Sequence, residues 1–556
     1  MKVIIIGGVA GGASAAARLR RLDEKMEITI YEKTGFISYA NCGLPYFVGN
    51  VIKDKNNLTL QSPAGFKKRF NVLVNVNHEV TSINPNGKTI TVKNLVTNET
   101  ITDSYDKLII ATGAKTYIPD FVKKNERIFT LRTVEDSYHL KDSIEKNSPQ
   151  KAVVIGGGFI GVEIAENLQN LGIKTTIIEE SNQLLKMVDS DMASFIHPVV
   201  RANGVEVLLN SKIKNIEYGK EITLNTRTKQ ITTDIVILAT GIRPNSMLAK
   251  EANLELGINE AIVVNEYMQT SNPDIYAVGD VVQTNEYITK SKALIALAGP
   301  ANKQGRVAAD NICKIKNSYQ GSLRSSIIKV FDLTVAQVGL TEAFITEEYE
   351  KVIITSQSHA SYYPNAKAMT IKVLYSKETK DILGAQIVGY DGVDKQIDIL
   401  STAIFAKVKA TSLKDLDLAY APPYSSAKAP VNMVGFVIDN IENGLVKQFH
   451  YHDISSLQNQ DVILLDTRTP LEYERGHAEG FINIPVDDLR NRLCELDKSK
   501  KIYVMCQSAY RSYVATRILV QNGFDAYNYS GGYRLYSSIY NDEVMSKESF
   551  PCGMDK

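Results

Sequence analysis

Two stretches of this 556-residue chain follow one pattern, and its recurrence constrains the fold more than any single motif could. Residues 3–6 (VIII) run into Gly7-Gly8-Val9-Ala10-Gly11-Gly12, then an Ala-rich helical segment, then residues 28–31 (ITIY) closed by Glu32. Residues 153–155 (VVI) run into Gly156-Gly157-Gly158-Phe159-Ile160-Gly161, then a helical segment to Leu171, then residues 175–178 (TTII) closed by Glu179 and Glu180. In such a strand, turn, helix and strand, the first glycine permits the tight turn. The second lets backbone approach a pyrophosphate, and the third allows the helix to pack closely. The helix N-terminus offers free N–H groups to the phosphates. The second copy supplies all three as Gly156, Gly158 and Gly161, whereas the first has Val9 at the middle position and keeps Gly7, Gly12 and Glu32. Two dinucleotide folds are predicted. Glu179 and Glu180 favour a free ribose 2′-hydroxyl over a 2′-phosphate, so NADH is expected rather than NADPH.

Composition excludes several classes. Lys and Arg (63) nearly cancel Asp and Glu (62), which leaves no basic surface for nucleic acid or an anionic membrane. No apolar run approaches the ~20 residues of a membrane span. Five scattered cysteines, an odd number, argue against a disulfide framework and for a reducing, cytoplasmic location. No metal is expected. At about 150 residues per domain, the length implies about three or four packed units. The expected class is α/β, with two dinucleotide-binding folds, an α+β domain and a C-terminal α/β domain. The antiparallel-looking strands at 370–375 and 383–388 and a helix near 394–408 mark the α+β part. A polar, aperiodic linker is placed at 443–456, with the last domain at 457–548.

Three further segments, Leu108 to Gly113 (LIIATG), Ile237 to Gly241 (ILATG) and Ile275 to Asp280 (IYAVGD), resemble the recurring motifs of the two-dinucleotide flavoprotein disulfide reductase family. The resemblance implies FAD in a fold of residues 1–113 and 246–322, held by Gly7, Gly8, Ala10, Gly11, Gly12, Glu32, Lys33, Asn41, Ala111, Thr112, Gly113, Asp280, Ala298 and Tyr424. It implies NADH in residues 114–245, held by Gly156, Gly158, Phe159, Ile160, Gly161, Glu179, Glu180 and Gly241. Residues 323–442 would form the dimerisation domain.

Glutathione reductase-like members carry two neighbouring cysteines after the first carboxylate. This chain has only Cys42, in SYANCG, which resembles the single-cysteine branch of NADH oxidases, NADH peroxidase and coenzyme A-disulfide reductase. Oxidase and peroxidase relatives have a histidine in the first glycine loop, where this sequence has Ala10. The GGVAGG loop followed by SAAAR resembles coenzyme A-disulfide reductases. That likeness implies a coenzyme A site with Ser14, Ser38, Asn41 and Asn302, and with cations from Arg18 and Arg21 on the exposed face of the first helix. Lys67, Lys68, Arg69 and Lys428 are further cationic candidates. It also implies a homodimer in which tyrosines donate a proton to the leaving thiolate, either Tyr362 or Tyr363 and either Tyr420 or Tyr424.

At the C-terminal end, Asp466-Thr467-Arg468, Glu472-Tyr473, Gly476-His477, Gly480, Asn483-Ile484-Pro485 and Cys506-Gln507-Ser508-Ala509-Tyr510-Arg511 resemble the rhodanese domain in order. Cys506 is expected to face backbone N–H groups at a helix N-terminus, with Arg511 adding a cation for a persulfide. Cys313 and Cys494 have no expected role, and Cys552 is expected as an exposed tail thiol. The whole chain therefore resembles coenzyme A-disulfide reductase/rhodanese fusions. The reaction implied is FAD-dependent reduction of coenzyme A persulfide, polysulfide or coenzyme A disulfide by NADH through Cys42, with Cys506 handling sulfane sulfur. The alternatives are an NADH oxidase, or a reductase with an independent sulfur-carrier tail.

Overall fold

The computed structural model describes residues 1–548, which fall into two units: residues 1–182 with 203–324, and residues 183–202 with 325–548. Cys552 lies outside the described residues. No described helix is long and apolar enough to cross a membrane.

The first unit contains the repeated pattern as two parallel sheets. One runs Ile275–Ala277, Lys107–Ile110, Lys2–Ile6, Glu27–Tyr31 and Leu73–Asn75. The other runs Ile128–Phe129, Ile235–Leu238, Lys151–Ile155, Lys174–Ile178 and Glu206–Leu208. Their central strands are near-continuous Val and Ile because both faces are covered, as in parallel sheets generally. Each fold also carries a three-stranded antiparallel sheet, His78–Asn84 with Thr89–Asn94 and Thr100–Ser104 in one, Ile213–Tyr218 with Ile222–Thr226 and Gln230–Thr233 in the other. The internal repeat thus extends beyond the glycine turns. Ala114–Thr116 pairs antiparallel with Ile242–Pro244 where the chain passes from one fold to the other and back.

The helix Ala10–Leu22 packs on Ala298–Ile312 at backbone distance, since a Cβ on Gly305 would lie 2.3 Å from Gly11 O. Arg20, between the two arginines singled out by sequence, is buried and donates to the carbonyls of Asp23, Glu24, Met26, Phe70 and Asn71. Its guanidinium fork ties the end of its own helix to the following turn and to the end of helix Pro63–Phe70.

The second unit joins an antiparallel sheet, ordered Ser326–Val330, Leu333–Gly339, Ile382–Gly389, Ala368–Ser376 and Tyr349–Gln357, to a parallel one. The parallel sheet runs Lys447–Phe449, Ala526–Tyr529, Ile502–Met505, Ile463–Asp466 and Ile482–Asn483. The segment expected as a linker is therefore folded. Lys447–Phe449 is an edge strand of the last domain and Tyr451–Leu457 is a helix. Four apolar anchors, Val446, Phe449, Ile454 and Leu457, are buried there, too few to register against the polar residues around them. That domain is also fixed to the antiparallel one. Ile353 N–H donates to Ser530 Oγ at 3.0 Å, Gln448 Nε2 donates to Lys351 O at 2.7 Å, and Ile353, Leu535 and Ile539 form one apolar cluster.

Residues 183–202, expected inside the NADH fold, group with the second unit. The reason is a buried charge cluster. Lys372 is 0% exposed and its ammonium meets Asp189 at 2.9 Å, Asp191 at 2.7 Å, and Glu342. That ammonium holds Glu342 down to about 2 against the opposing effect of burial. His197 Nδ1 and Arg201 both meet Asp542, at 2.6 and 3.0 Å.

Candidate active sites

The two glycine turns are near copies. Gly7 and Gly156 hold φ of +102° and +107°, and a Cβ on either would lie 2.3 Å from a carbonyl oxygen, that of Ala111 or Ala239. A Cβ on Gly12 or Gly161 would lie 1.9 or 2.0 Å from Gly7 O or Gly156 O. Gly113, Gly158 and Gly241 instead have open space at the Cβ position. The closed positions shape the turns, and the open ones leave backbone bare for a phosphate-bearing cofactor. These residues fit two dinucleotides.

The carboxylates repeat as well. Glu32 accepts from Gly8 N–H at 2.8 Å and Thr34 N–H at 2.9 Å; Glu179 accepts from Gly157 N–H at 2.7 Å and Ser181 N–H at 2.8 Å. Burial raises Glu32 above the usual carboxylate range. Glu180 is exposed and pairs with Lys212 at 3.1 Å, while Glu179 is the carboxylate that closes onto the turn. Lys33 likewise turns to the surface and pairs with Glu79 at 2.7 Å. Asp280 follows the strand Ile275–Ala277 and accepts from Arg132 at 3.0 Å. Phe159 and Ala298 each open a helix, Phe159–Asn170 and Ala298–Ile312. Thr112 Oγ1 donates to Asn245 O at 2.8 Å.

Cys42 lies in the turn Asn41–Gly43, just before the helix Leu44–Val48. Ser38 N–H donates to Gly8 O at 2.8 Å, which fastens this segment to the first glycine turn. Cys42 is exposed at the residue level, yet the surrounding protein, chiefly by withdrawing solvent from the sulfur and next through Glu163, raises the thiol; Arg132 opposes them. Tyr46 donates to Glu163 at 3.3 Å, and burial pushes the Glu163 carboxyl up to about 7. Glu163, Tyr46 and Arg132 were not singled out by sequence. A carboxylate four residues after Phe159, on the helix that opens at the second glycine turn, was the available signal.

Arg18 requires a correction. It is not a free surface cation, because its Nε donates to Asp310 at 2.6 Å and the Asp310 side chain is only 4% exposed. The helix Ala298–Ile312, distant in sequence, covers that face. Arg21, Lys67, Lys68, Arg69 and Lys428 remain exposed. Ser14 Oγ donates to Asn302 Oδ1 at 2.5 Å, so two predicted carrier contacts meet across the helix pair.

In the second unit the hydroxyls of Tyr362 and Tyr420 are hydrogen-bonded at 2.5 Å, on side chains 73% and 44% exposed. This separates them from Tyr363, which packs edge-on against His359, and from Tyr424, which is exposed.

Cys506 follows the strand Ile502–Met505, and its loop leads into the helix Tyr510–Gln521. Ala509 takes φ +66°, a left-handed conformation that glycine adopts more readily. Gly532 backs the loop so closely that a Cβ would lie 2.7 Å from Ala509 N, Ser508 N and Gln507 O. Cys506 is fully buried. Arg511 is not a free cation either: it donates twice to Glu472, at 2.7 and 2.8 Å, and this contact holds Glu472 down to about 2. Beneath the loop, Arg468 is buried, pairs with Asp466 at 2.7 Å and lies 3.8 Å from the Tyr533 ring centroid.

The family profile for the pyridine nucleotide-disulphide oxidoreductase matches residues 1–305, that for its dimerisation domain residues 325–430, and that for the rhodanese-like domain residues 452–538. Coenzyme A disulfide reductase of Staphylococcus haemolyticus (strain JCSC1435) is 36% identical over 437 residues, which span 78% of this chain and 98% of the relative. The structure of reduced Bacillus anthracis CoADR-RHD is similar with a TM-score of 0.95 and 45% identity, covering 97% of this chain and 98% of the other. That of a NAD-dependent persulfide reductase from A. fulgidus is similar with a TM-score of 0.91 and 37% identity, covering 96% and 100%.

Proposed function

The chain belongs to the pyridine nucleotide-disulphide oxidoreductase family, in the branch that joins a coenzyme A disulfide reductase to a rhodanese domain, and from that premise we propose that it uses NADH to reduce coenzyme A persulfide, polysulfide or coenzyme A disulfide at Cys42. The observation that carries this is Cys42 itself, a lone thiol fastened to the first glycine turn through Ser38 and Gly8.

Gly7, Gly12, Glu32 and Asp280 would hold FAD, and Gly156, Gly158, Gly161 and Glu179 the NADH. Bound there, the flavin supplies the two-electron link between nicotinamide and sulfur. The Cys42 thiolate attacks the inner sulfur of coenzyme A persulfide; the donor S–S bond breaks, hydrosulfide leaves, and Cys42 and coenzyme A share a mixed disulfide. Two electrons from NADH then break that disulfide, restoring the thiolate and releasing coenzyme A thiolate, which takes a proton from Tyr362 or Tyr420. With coenzyme A disulfide, the first leaving group is coenzyme A thiolate. We place the two tyrosines at the site of a second copy of the chain, so the working form is a homodimer. Their mutual hydrogen bond on an exposed face of the dimerisation-type domain supports this.

Cys506 would take or give the outer sulfur as a persulfide. Ala10 in the first glycine loop, with no histidine there, speaks against oxygen reduction as the main activity. The four described cysteines are all free, which supports a reducing, cytoplasmic setting. The test is anaerobic steady-state kcat/KM with coenzyme A persulfide, polysulfide and coenzyme A disulfide, beside NADH consumption under oxygen. The reading predicts that a sulfur substrate exceeds oxygen by at least about a hundredfold; oxygen turnover equal to all three would defeat it.

A further inference from the structure

Tyr362 is carried by the loop that joins the strands Tyr349–Gln357 and Ala368–Ser376. Tyr420 is carried by a second loop, between the short helix Ala410–Asp415 and the helix Pro430–Glu442. The two phenolic oxygens meet although both side chains are exposed, so burial of the rings does not hold them together. Ordering a loop costs backbone entropy, and specific contacts have to hold its shape. Those contacts lie beneath the phenols.

His359, three residues before Tyr362, is only 6% exposed, and both of its ring nitrogens are taken. In the neutral tautomer Nε2–H donates to Pro364 O at 3.0 Å, which closes the loop on itself around Tyr362, and Nδ1 accepts from Ser358 Oγ at 2.9 Å. Ser358 also ties the base of the loop: its N–H donates to Lys367 O at 2.8 Å, and its Oγ accepts from Lys367 N–H at 3.1 Å. The His359 ring meets the Tyr363 ring edge-on at 5.7 Å, and Asp391 stands 3.6 Å from Nδ1. The next residue joins the two loops. Ala360 N–H lies 3.3 Å from Pro422 O and 3.1 Å from Ser425 O, while Ala360 O accepts from Tyr363 N–H at 2.9 Å. Tyr362 is thus held between two fastened points, Ala360 and Pro364, and His359 fastens the second.

We propose that His359 is the positioning residue of the Tyr362–Tyr420 pair: its imidazole fixes the loop of residues 358–367 so that the Tyr362 phenol reaches the Tyr420 phenol. This rests on the two tyrosines serving the leaving thiolate. His359 acts through the loop and does not itself give up the proton. Misplacing a reacting group by about 1 Å can cost about a hundredfold in rate, so loss of the brace is read in turnover rather than in binding.

The experiment measures steady-state reduction of coenzyme A disulfide and stopped-flow reduction of the flavin by NADH in the full-length holoenzyme. His359→Ala is expected to lower kcat about thirtyfold, with KM changed less than about threefold and flavin reduction at the native rate. His359→Gln, whose amide N–H can reach Pro364 O, should recover most of that loss. In the Tyr362→Phe background His359→Ala should cost less than about a further twofold, because the pair it positions is already gone. Ser358→Ala, a smaller change that removes the partner of Nδ1, should lower kcat about threefold and keeps the proposal open to refutation where His359→Ala fails to fold. Native kcat in His359→Ala or in Ser358→Ala overturns the proposal. So does a His359→Gln as slow as His359→Ala, or an undiminished thirtyfold loss in the Tyr362→Phe background, which would show that His359 acts apart from the pair. Native kcat in Tyr362→Phe alone would instead defeat the reading of the tyrosines, which leaves the two failures distinguishable.

Discussion

The phenolic oxygens of Tyr362 and Tyr420 lie 2.5 Å apart, and this contact raises Tyr362 above the usual phenol range. Two phenols sharing one hydrogen bond act as a unit, one donating while the other accepts. Tyr362→Phe and Tyr420→Phe are each expected to lower kcat for coenzyme A disulfide about a hundredfold, with the rate of flavin reduction by NADH unchanged. The double variant should be no slower than the slower single one, since either change removes the pair. Multiplicative losses in stopped-flow and steady-state assays would show that the two act separately.

After burial, Glu163 is the next influence that raises the Cys42 thiol. Its carboxyl, pushed up to about 7, gains charge as pH rises through neutrality and then opposes loss of the Cys42 proton. Glu163→Gln removes that opposition, so Cys42 should ionise at lower pH. Alkylation of Cys42 by iodoacetamide, followed on its peptide by mass spectrometry across pH, checks this; a superimposable profile in the variant would contradict it.

Lys372 compensates three carboxylates at once. In Lys372→Met those charges face each other in a buried place, and the expected cost at pH 7 is about 3–5 kcal/mol by denaturant unfolding. Burial raises Asp189 even beside Lys372, which gives it the opposite response, so the loss of native stability in acid comes from Glu342. In the native protein its depressed carboxyl contributes stability that is complete above the ordinary range near 4.5 and lost as pH falls toward about 2. In the variant the carboxylates lose their cation and are raised, so the deficit should shrink on acidification from 7 toward 5. A deficit that stays constant over that interval would count against the cluster.

Arg511 and Glu472 form the rim beside Cys506. Because Arg511 holds Glu472 down to about 2, the pair should persist throughout pH 4 to 8 and give no acid limb to thiocyanate formation. Arg511→Met is expected to lower that activity about tenfold or more and to leave NADH-dependent reduction of coenzyme A disulfide unchanged. Equal losses in both assays would show that the substitution acts on the whole chain rather than on the Cys506 loop.

Much of the first site was legible because its signals are local. Gly7 and Gly156 require positive φ, and Glu32 and Glu179 close onto their own loops within 24 and 22 residues. Cys42 was conspicuous by its solitude. What was not legible depends on contacts distant along the chain. Arg18 looks free until Asp310 arrives 292 positions later, and residues 183–202 look like part of a nucleotide fold until Lys372 claims Asp189 and Asp191. The strand Lys447–Phe449 reads as linker because only Phe449 faces inward, and its pairing with Ala526–Tyr529 lies far ahead. The rhodanese loop was recognisable from Cys506 to Arg511. The neutralisation of Arg511 by Glu472 and the burial of the thiol were not.

The central claim is that Cys42 carries the reduction. Anaerobic stopped-flow mixing of the Cys42→Ser holoenzyme with NADH and coenzyme A persulfide tests it most directly. Flavin reduction by NADH should proceed at the native rate, the long-wavelength thiolate-to-flavin charge-transfer band should be absent, and sulfide release should fall at least about a thousandfold. Sulfide release at the native rate by that variant would contradict the account.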